Sequence, residues 1–323
     1  MADGVLSREV EAWPRIKIRE QNVNLAVPKG DNCFHSHVLP LSYGQEGEEE
    51  QKLTWPQSIT TNTTGQFIVA DNNRIKVFDC NGKFLFSFCA TTEVEDIIKD
   101  VHVATDNVFV LTISYKRFRF PSSKVTVYDE EGHLYQSSDV WPNSSGISVT
   151  VNENQRVFVL LRQGLVRLRT PYTVEVCEAD GQHVRSFSFK PLVGEPACIT
   201  SAGGNHVIVL FTEVTNIHIH IYDEEGNFLN HVSHGLFFSM VQIGAIAFHL
   251  STEHIIIPLI RRDDTVNIEV LTKNGMPVHT VHLETEEIDS LSGIAVTTEG
   301  RIAVLCTTKE SQRNSEKHLV LVV

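Results

Sequence analysis

Residues 221–229 read Ile221-Tyr-Asp-Glu-Glu-Gly-Asn-Phe-Leu229, an acidic segment with one glycine between two apolar runs. Four other segments share this pattern, and the glycines of the five lie 45–50 residues apart: Gly82, Gly132, Gly181, Gly226 and Gly275. An acidic or amide residue followed by glycine between alternating runs indicates a tight β-hairpin, because its turn needs the positive φ that glycine adopts freely. Such hairpins, repeated at this interval, indicate a repeat protein.

Each hairpin is preceded by two further apolar segments, so the repeating unit has four strands, here called a to d from the centre outward. A sixth unit has its innermost segment at 293–297, followed by the apolar run at 301–305. Units of 40–50 residues with four strands are typical of propeller blades. The sequence therefore predicts an all-β, six-bladed propeller of four-stranded antiparallel blades. A single helical turn is expected at 94–101.

The sixth unit has no turn glycine and no outer strand. We expect an N-terminal strand at 15–19, where isoleucines alternate with basic residues, to close the ring as that outer strand. The alternative is 37–41, where Pro40 would interrupt the ladder because proline cannot donate a hydrogen bond. This gives an N-terminal extension over 1–52, which ends in an acidic linker, and a propeller over 53–323.

Composition limits the classes of function. The chain has 323 residues and a formal net charge of −13, which disfavours a general binder of DNA or of anionic membranes. No stretch approaches 18 apolar residues and the first residues do not form a signal peptide. None of the six cysteines lies in a C-x-x-C pair, so they are expected to be reduced and mostly buried. We therefore expect a cytoplasmic protein.

The first unit resembles an NHL repeat of the tripartite-motif NHL proteins. The resemblance rests on Trp55-Pro-Gln-Ser-Ile59, Gly65-Gln-Phe-Ile-Val-Ala-Asp71, Asn73-Arg-Ile-Lys-Val-Phe78 and Asn81-Gly-Lys-Phe-Leu85, and it extends over about 53–323. Later units keep the strands and the turn but lose the equivalents of Asp71 and Arg74. The resemblance implies a propeller that recognises protein partners, as an adaptor or substrate-recognition module, or RNA in some members. Residues 1–52 contain no Cys/His zinc array of a RING or B-box, so ligase activity is not implied.

The expected inner strands carry Ser58, His102, Ser148, Thr200 and Ala295, with no carboxylate. A metal-dependent propeller hydrolase or lyase would need Glu, Asn and Asp there, and no motif orders serine and histidine as nucleophile and base. We therefore predict that the chain is not an enzyme and has no cofactor, with such a hydrolase or lyase as the distant alternative.

Four histidines stand out near the fourth unit: His218, His220, His231 and His234. Residues 218 and 220 fall on one face of a strand, which permits a metal pair. No carboxylate or cysteine completes a ligand set at a persuasive spacing. Ordinary strand histidines, and no metal, are the prediction from the sequence.

Charge separates the two faces of the predicted disk, since the c–d turns are acidic and the b–c loops of the second and third units are basic. Three occupants remain open for the basic sector. Cations interleaved with aromatic rings suit the phosphates and bases of RNA, an acidic peptide of a protein partner, or a solvated rim with the rings packed inward. We predict a protein-interaction surface, with RNA as the alternative ligand, at Lys116, Arg117, Phe118, Arg119, Phe120, Arg162, Arg167 and Arg169.

Overall fold

The structure is a computed structural model. It describes residues 17–20, 52–91, 96–105, 107–114, 121–164, 172–189, 194–213, 216–235, 240–243, 245–261, 266–284, 288–310 and 315–322. Within them it contains twenty-five strands, numbered here in chain order and arranged in six antiparallel sheets.

The sheets follow one another along the chain and are numbered accordingly. Sheet 1 consists of β2 (Pro56–Thr61), β3 (Phe67–Asp71), β4 (Arg74–Phe78) and β5 (Phe84–Cys89). Sheet 2 consists of β6 (Asp96–Ala104), β7 (Asn107–Ser114), β8 (Ser122–Tyr128) and β9 (Leu134–Ser137). Sheet 3 consists of β10 (Ser144–Val151), β11 (Val157–Gln163), β12 (Tyr172–Cys177) and β13 (His183–Phe189). Sheet 4 consists of β14 (Glu195–Ala202), β15 (His206–Thr212), β16 (Asn216–Tyr222) and β17 (Phe228–Gly235).

The last two sheets depart from this regularity. In sheet 5 the innermost strand is divided into β18 (Met240–Ile243) and β19 (Ala247–His249), followed by β20 (His254–Arg261), β21 (Val266–Thr272) and β22 (Pro277–Glu284). Sheet 6 consists of β23 (Ile288–Val296), β24 (Ile302–Glu310) and β25 (Ser315–Val322). The prediction of an all-β propeller with four-stranded antiparallel blades is confirmed. Five sheets have the full set of strands, whereas the sixth has three among the described residues.

The N-terminal strand differs from expectation. Strand β1 (Lys17–Glu20) pairs with the outer strand of sheet 5, with Lys17 opposite Glu284 and Ile18 opposite Leu283, and it does not extend sheet 6. An alternating pattern with basic residues suits any exposed sheet edge, so it does not specify which edge is used. The alternative strand at 37–41 lies outside the described residues.

The helical turn expected at 94–101 is wrong for its described part, because Asp96 to Ala104 form β6. The register of β6 against β7 shifts between Ile98 and Asp100. A β-bulge of this kind places consecutive residues out of step with a period of two. Before the bulge the strand alternates normally, because Ile98 is fully buried and Ile97 is 46% exposed.

Burial between the sheets explains the architecture. Each of six clusters of buried apolar side chains joins two neighbouring sheets, and one of them joins sheet 6 to sheet 1 through Ala303, Leu305, Ile59 and Val69. The same junction contains a hydrogen bond of 3.1 Å from the Thr61 hydroxyl to the carbonyl of Val296. The innermost strands of all six sheets line one central cavity of about 490 Å³, called here the channel.

The hairpin glycines meet the two requirements of their turns. Gly132, Gly181 and Gly226 have φ of +86°, +78° and +85°, as predicted. A Cβ atom added to Gly226 would lie 2.4 Å from the ring of Phe187, in the outer strand of sheet 3. These turns therefore need glycine for backbone conformation and for close packing against the preceding sheet.

A pair of substitutions separates the two requirements. Gly65 also has a positive φ, but a Cβ there would meet only Cys80, at 3.9 Å. Gly65→Ala should cost roughly 1–2 kcal/mol of unfolding free energy through backbone strain. Gly226→Ala should cost a further 1–3 kcal/mol or so, because the added methyl group overpacks the contact with Phe187. Urea denaturation measures both, and equal losses would contradict the close contact.

Candidate functional site

The inner strands carry bulges at one level of the channel. In five of them a register shift lies at this level, at Gln57, Lys99, Ile147, Ala197 and Ser292, and β23 has a second shift at Asp289. The five residues at this level all line the channel. Bulges of this kind redirect side chains and are frequent next to binding sites. The local sequence thus directs the next residues, including Ser58, Asp100 and Ser148, to a common level.

Asp100 is the carboxylate that the sequence analysis missed, and the expectation of inner strands without a carboxylate is wrong. One of its oxygens, Oδ1, accepts hydrogen bonds from Ser58 Oγ at 2.5 Å and from Val101 N at 2.9 Å. The other, Oδ2, accepts from Ser148 Oγ at 2.6 Å and from Val149 N at 2.8 Å. The carboxylate therefore joins the inner strands of sheets 1, 2 and 3. It was missed because the inner strand was expected to begin at Val101, whereas β6 begins at Asp96 and its alternation back from His102 reaches Asp100.

Electrostatics at Asp100 reflects opposing effects. Burial raises the pKa of this carboxyl group, while the hydrogen bonds from Ser148, Ser58, Val149 and Val101 lower it and oppose that rise. Four donors fill the acceptor positions of an ionised carboxylate. The Asp100 carboxylate thus holds three inner strands together at the channel wall, and its four hydrogen bonds occupy its lone pairs.

Two other titratable groups belong to the channel. Burial lowers the pKa of His102 to about 4, so that its imidazole is neutral at pH 7. Burial, followed by the charge of Asp100, raises the pKa of the Cys198 thiol. A thiol with a raised pKa is a weak nucleophile, because the thiolate is the reactive form.

A second cavity, of about 460 Å³, opens beside the channel and shares Gln57, Lys99 and Ile147 with it. We call it the Trp55 cleft. The rest of its lining comes from sheets 1 to 4, from the beginnings of their innermost strands and from the side where their second and third strands are connected. These residues are Trp55, Asn72, Ile97, Ile113, Ser145, Gly146, Arg162, Tyr172, Glu195 and Pro196. The cleft therefore lies on the face where the sequence places the basic loops.

The position of Trp55 depends on the buried ion pair between Asp71 and Lys76. Asp71 accepts hydrogen bonds from the backbone N–H groups of Thr54 at 2.9 Å and Trp55 at 2.6 Å. Its Oδ2 lies 2.8 Å from Lys76 Nζ, which also donates to the carbonyl of Lys52. Asp71 is only 1% exposed, whereas Trp55 is 69% exposed. The repeat motif thus supplies an anchor that holds a large aromatic ring at the rim of the cleft.

The predicted binding residues are only partly described. Arg162 is exposed at the end of β11, where it lines the Trp55 cleft. The others lie outside the described residues: Lys116, Arg117, Phe118, Arg119, Phe120, Arg167 and Arg169. Reasoning from the sequence missed the role of Trp55, although this residue begins the repeat motif, because a sequence does not reveal the exposure of a single aromatic ring.

The histidines separate into two groups. His218, His220 and His231 come together on strands β16 and β17. His234 pairs with Ile217 in the register, away from these partners. Among the described cysteines, Cys177, Cys198 and Cys306 are buried as expected, whereas Cys80 and Cys89 are exposed.

Comparison with known proteins supports the fold. No family model matches the chain. Protein brain tumor of Drosophila melanogaster is 23% identical over 137 residues, which are 41% of this chain and 13% of that protein's length. A luciferin-regenerating enzyme superposes with a TM-score of 0.56 at 8% identity, covering 84% of this chain and 92% of the enzyme chain. A chain of the nidogen/laminin complex gives 0.55 at 12% identity, covering 78% and 91%.

These likenesses correct one expectation. The sequence predicted a protein that is not an enzyme, yet the same architecture is found in a luciferin-regenerating enzyme. The fold is therefore compatible with catalysis, although at 8% identity it does not establish an activity. Within the described residues, no helix has the length and apolar character needed to span a membrane.

Replacing Asp100 with asparagine tests the junction of the three sheets. The amide nitrogen of asparagine would face the Val149 N–H, two donors at the site of a 2.8 Å hydrogen bond. We expect Asp100→Asn to lower the unfolding free energy by about 1–3 kcal/mol, the cost of an unsatisfied buried donor. The exposed Asp139→Asn is the matched control and should change it by no more than about 0.5 kcal/mol. Unchanged stability of Asp100→Asn would mean that Asp100 is protonated in the folded protein.

His102 predicts a dependence of stability on pH. Its folded pKa of about 4 lies below the usual 6.5, so below pH 6.5 the unfolded chain binds more protons and folding loses free energy. This loss should be absent above pH 6.5 and should reach at most about 1.4 kcal/mol per pH unit between 6.5 and 4. In His102→Gln the decline in unfolding free energy over that window should be shallower than in the wild type. Urea denaturation at each pH measures this free energy. If it falls equally steeply in the wild type and in His102→Gln, His102 does not have a lowered pKa in the folded protein.

Proposed function

We propose that this chain is an NHL-type, six-bladed propeller that binds an acidic segment of a protein partner in the Trp55 cleft. The observation that carries the proposal is the 69% exposure of Trp55 at the rim of a preformed cavity. Completion of sheet 6 by a strand from residues 1–52 other than β1, and a cytoplasmic location, belong to the same proposal.

The composition of the cleft favours recognition of a protein. Tryptophan and arginine are enriched among the residues that dominate binding energy at protein interfaces. Trp55 and Arg162 supply these two types, and the exposed Ile97 adds apolar area. A volume of about 460 Å³ lies within the usual range of ligand sites. An aromatic or aliphatic anchor of a partner would fit there.

Charge favours an acidic partner. Lys99 and Arg162 are exposed in the cleft, and Glu195 is the acidic residue among its lining side chains. The basic residues predicted at 116–119 and 167–169 follow directly after β7 and β11, which end at this face. In a chain of net charge −13, a local cationic sector steers acidic groups to the cleft.

RNA is the second candidate, because an exposed tryptophan is also a platform for base stacking and the neighbouring cations suit phosphates. The limited similarity to protein brain tumor supports the NHL-type relationship and does not favour one ligand over the other.

The test compares Trp55→Ala and Arg162→Glu with the wild type. The probes are a 12-residue peptide of glutamates with one central phenylalanine, the same peptide with alanine in its place, and a 12-nucleotide poly-uridine RNA. Each variant should bind the phenylalanine peptide at least tenfold more weakly than the wild type does. The wild type should bind the alanine peptide more weakly than the phenylalanine peptide. Tyr135→Ala is the matched control, because Tyr135 is 70% exposed on the outer strand β9, away from the cleft. Fluorescence anisotropy measures all three probes.

The outcomes separate the two candidates. RNA binding that depends on Trp55, with a salt slope of about −0.7 per phosphate contact, and no peptide binding would favour the second candidate. If neither probe responds to Trp55→Ala or Arg162→Glu in folded protein, the cleft is not the binding surface.

A further inference from the structure

Three histidines form a cluster on the outer strands of sheet 4, far along the blade from the channel. His220 lies directly opposite His231 in the antiparallel register of β16 and β17, and His218 lies two residues before His220. The His218 and His231 rings are stacked with centroids 5.3 Å apart, and the His220 ring meets that of His231 edge to face at 4.9 Å. His218 and His220 are buried whereas His231 is exposed, so the cluster opens to solvent on one side.

The two facing nitrogens of His218 and His231 have the spacing of a chelating pair. His218 Nδ1 lies 3.1 Å from His231 Nε2. Two nitrogens at about 2.05 Å from one ion and separated by this distance subtend roughly 100° at the metal. That angle lies between the square and tetrahedral values, and an ion bound there would replace the proton that now joins the two nitrogens in a hydrogen bond.

A carboxylate orients one of these ligands. Glu213 Oε2 lies 3.5 Å from His218 Nε2, the ring nitrogen that points away from His231. Histidine ligands of metals almost always donate their second N–H to a carboxylate, carbonyl or water, which fixes the tautomer and raises the basicity of the ligating nitrogen. From the sequence no carboxylate completed the set, and Glu213 fits as an orienting group instead of a ligand.

The third histidine of the cluster, His220, has a hydrogen-bond partner of its own. His220 Nδ1 is hydrogen-bonded to the Tyr222 hydroxyl at 3.1 Å, so this ring is fixed beside the pair. A transition-metal ion binds the lone pair of a neutral imidazole nitrogen.

We propose that this histidine cluster is a binding site for a divalent first-row transition metal, with His218 Nδ1 and His231 Nε2 as its protein ligands. Water completes the coordination shell and Glu213 orients His218. Imidazole ligands select copper, zinc and nickel over magnesium and calcium. Among divalent first-row metals, the affinity should follow the Irving–Williams order, in which Cu²⁺ binds most tightly. The site is independent of the function proposed for the Trp55 cleft.

The experiment is titration of the full chain with Cu²⁺, Zn²⁺ and Mg²⁺ by calorimetry, with electron paramagnetic resonance of the Cu²⁺ form. We expect Cu²⁺ to bind more tightly than Zn²⁺, no heat from Mg²⁺, and nitrogen hyperfine structure from two imidazoles. His231→Gln, at an exposed position that should not disturb folding, should weaken Cu²⁺ binding at least tenfold and leave one coupled nitrogen. Glu213→Gln should weaken it by about 10-fold, the usual scale for an orienting partner.

A competing cluster supplies the control. Asp129, Glu131 and His133 lie close enough together in the exposed turn of sheet 2 to hold an ion. His133→Gln should leave tight Cu²⁺ binding unchanged. Loss of binding in His133→Gln instead of His231→Gln, a spectrum without nitrogen coupling, or equal heats from Mg²⁺ and Cu²⁺ would overturn the proposal.

Discussion

A sheet with apolar side chains on both faces is stable only when both faces are covered, and this constraint determines the whole molecule. Six clusters of buried side chains occupy the spaces between neighbouring sheets, and the cluster between sheets 6 and 1 completes the ring. Since every face is used for packing, chemistry is confined to three places: the channel at the inner edges, the loops at the two ends of the strands, and the outer rim. Asp100, the Trp55 cleft and the histidine cluster occupy one place each.

The hairpins and strands could be predicted because their determinants are local. A glycine after an acidic residue fixes a turn, and alternation fixes a strand, without knowledge of the rest of the chain. The pairing partner of the N-terminal strand could not be predicted in this way. The pattern of β1 identifies an edge strand, but sheets 5 and 6 both offer an edge, and the choice depends on tertiary structure.

The candidate site was less predictable for two physical reasons. The apolar pattern does not mark where β6 begins, so the inner strand was expected from Val101 and Asp100 fell just outside it. Exposure is a property of the packed ring, so nothing in the segment around Trp55 indicated that its side chain remains in solvent while Asp71, close by in the fold, is buried. The basic residues were predicted because charge is visible in the sequence, and Arg162, the one of them that the structure describes, lines the cleft.

The contact between a turn glycine and the preceding sheet has a consequence for how such a chain grows in evolution. In three of the five hairpins the side chain that meets the glycine is at the fifth position of the preceding outer strand: Phe88 with Gly132, Phe187 with Gly226 and Val232 with Gly275. In such repeats one half of the contact, the side chain, lies on the outer strand, and the other half, the glycine, lies in the turn that precedes that strand. Duplicating a single repeat in the gene therefore copies a complete, self-complementary joint, and the new blade can dock on both neighbours without further mutation. Drift at one half, such as phenylalanine to valine, is tolerated only while the matching turn stays without a side chain.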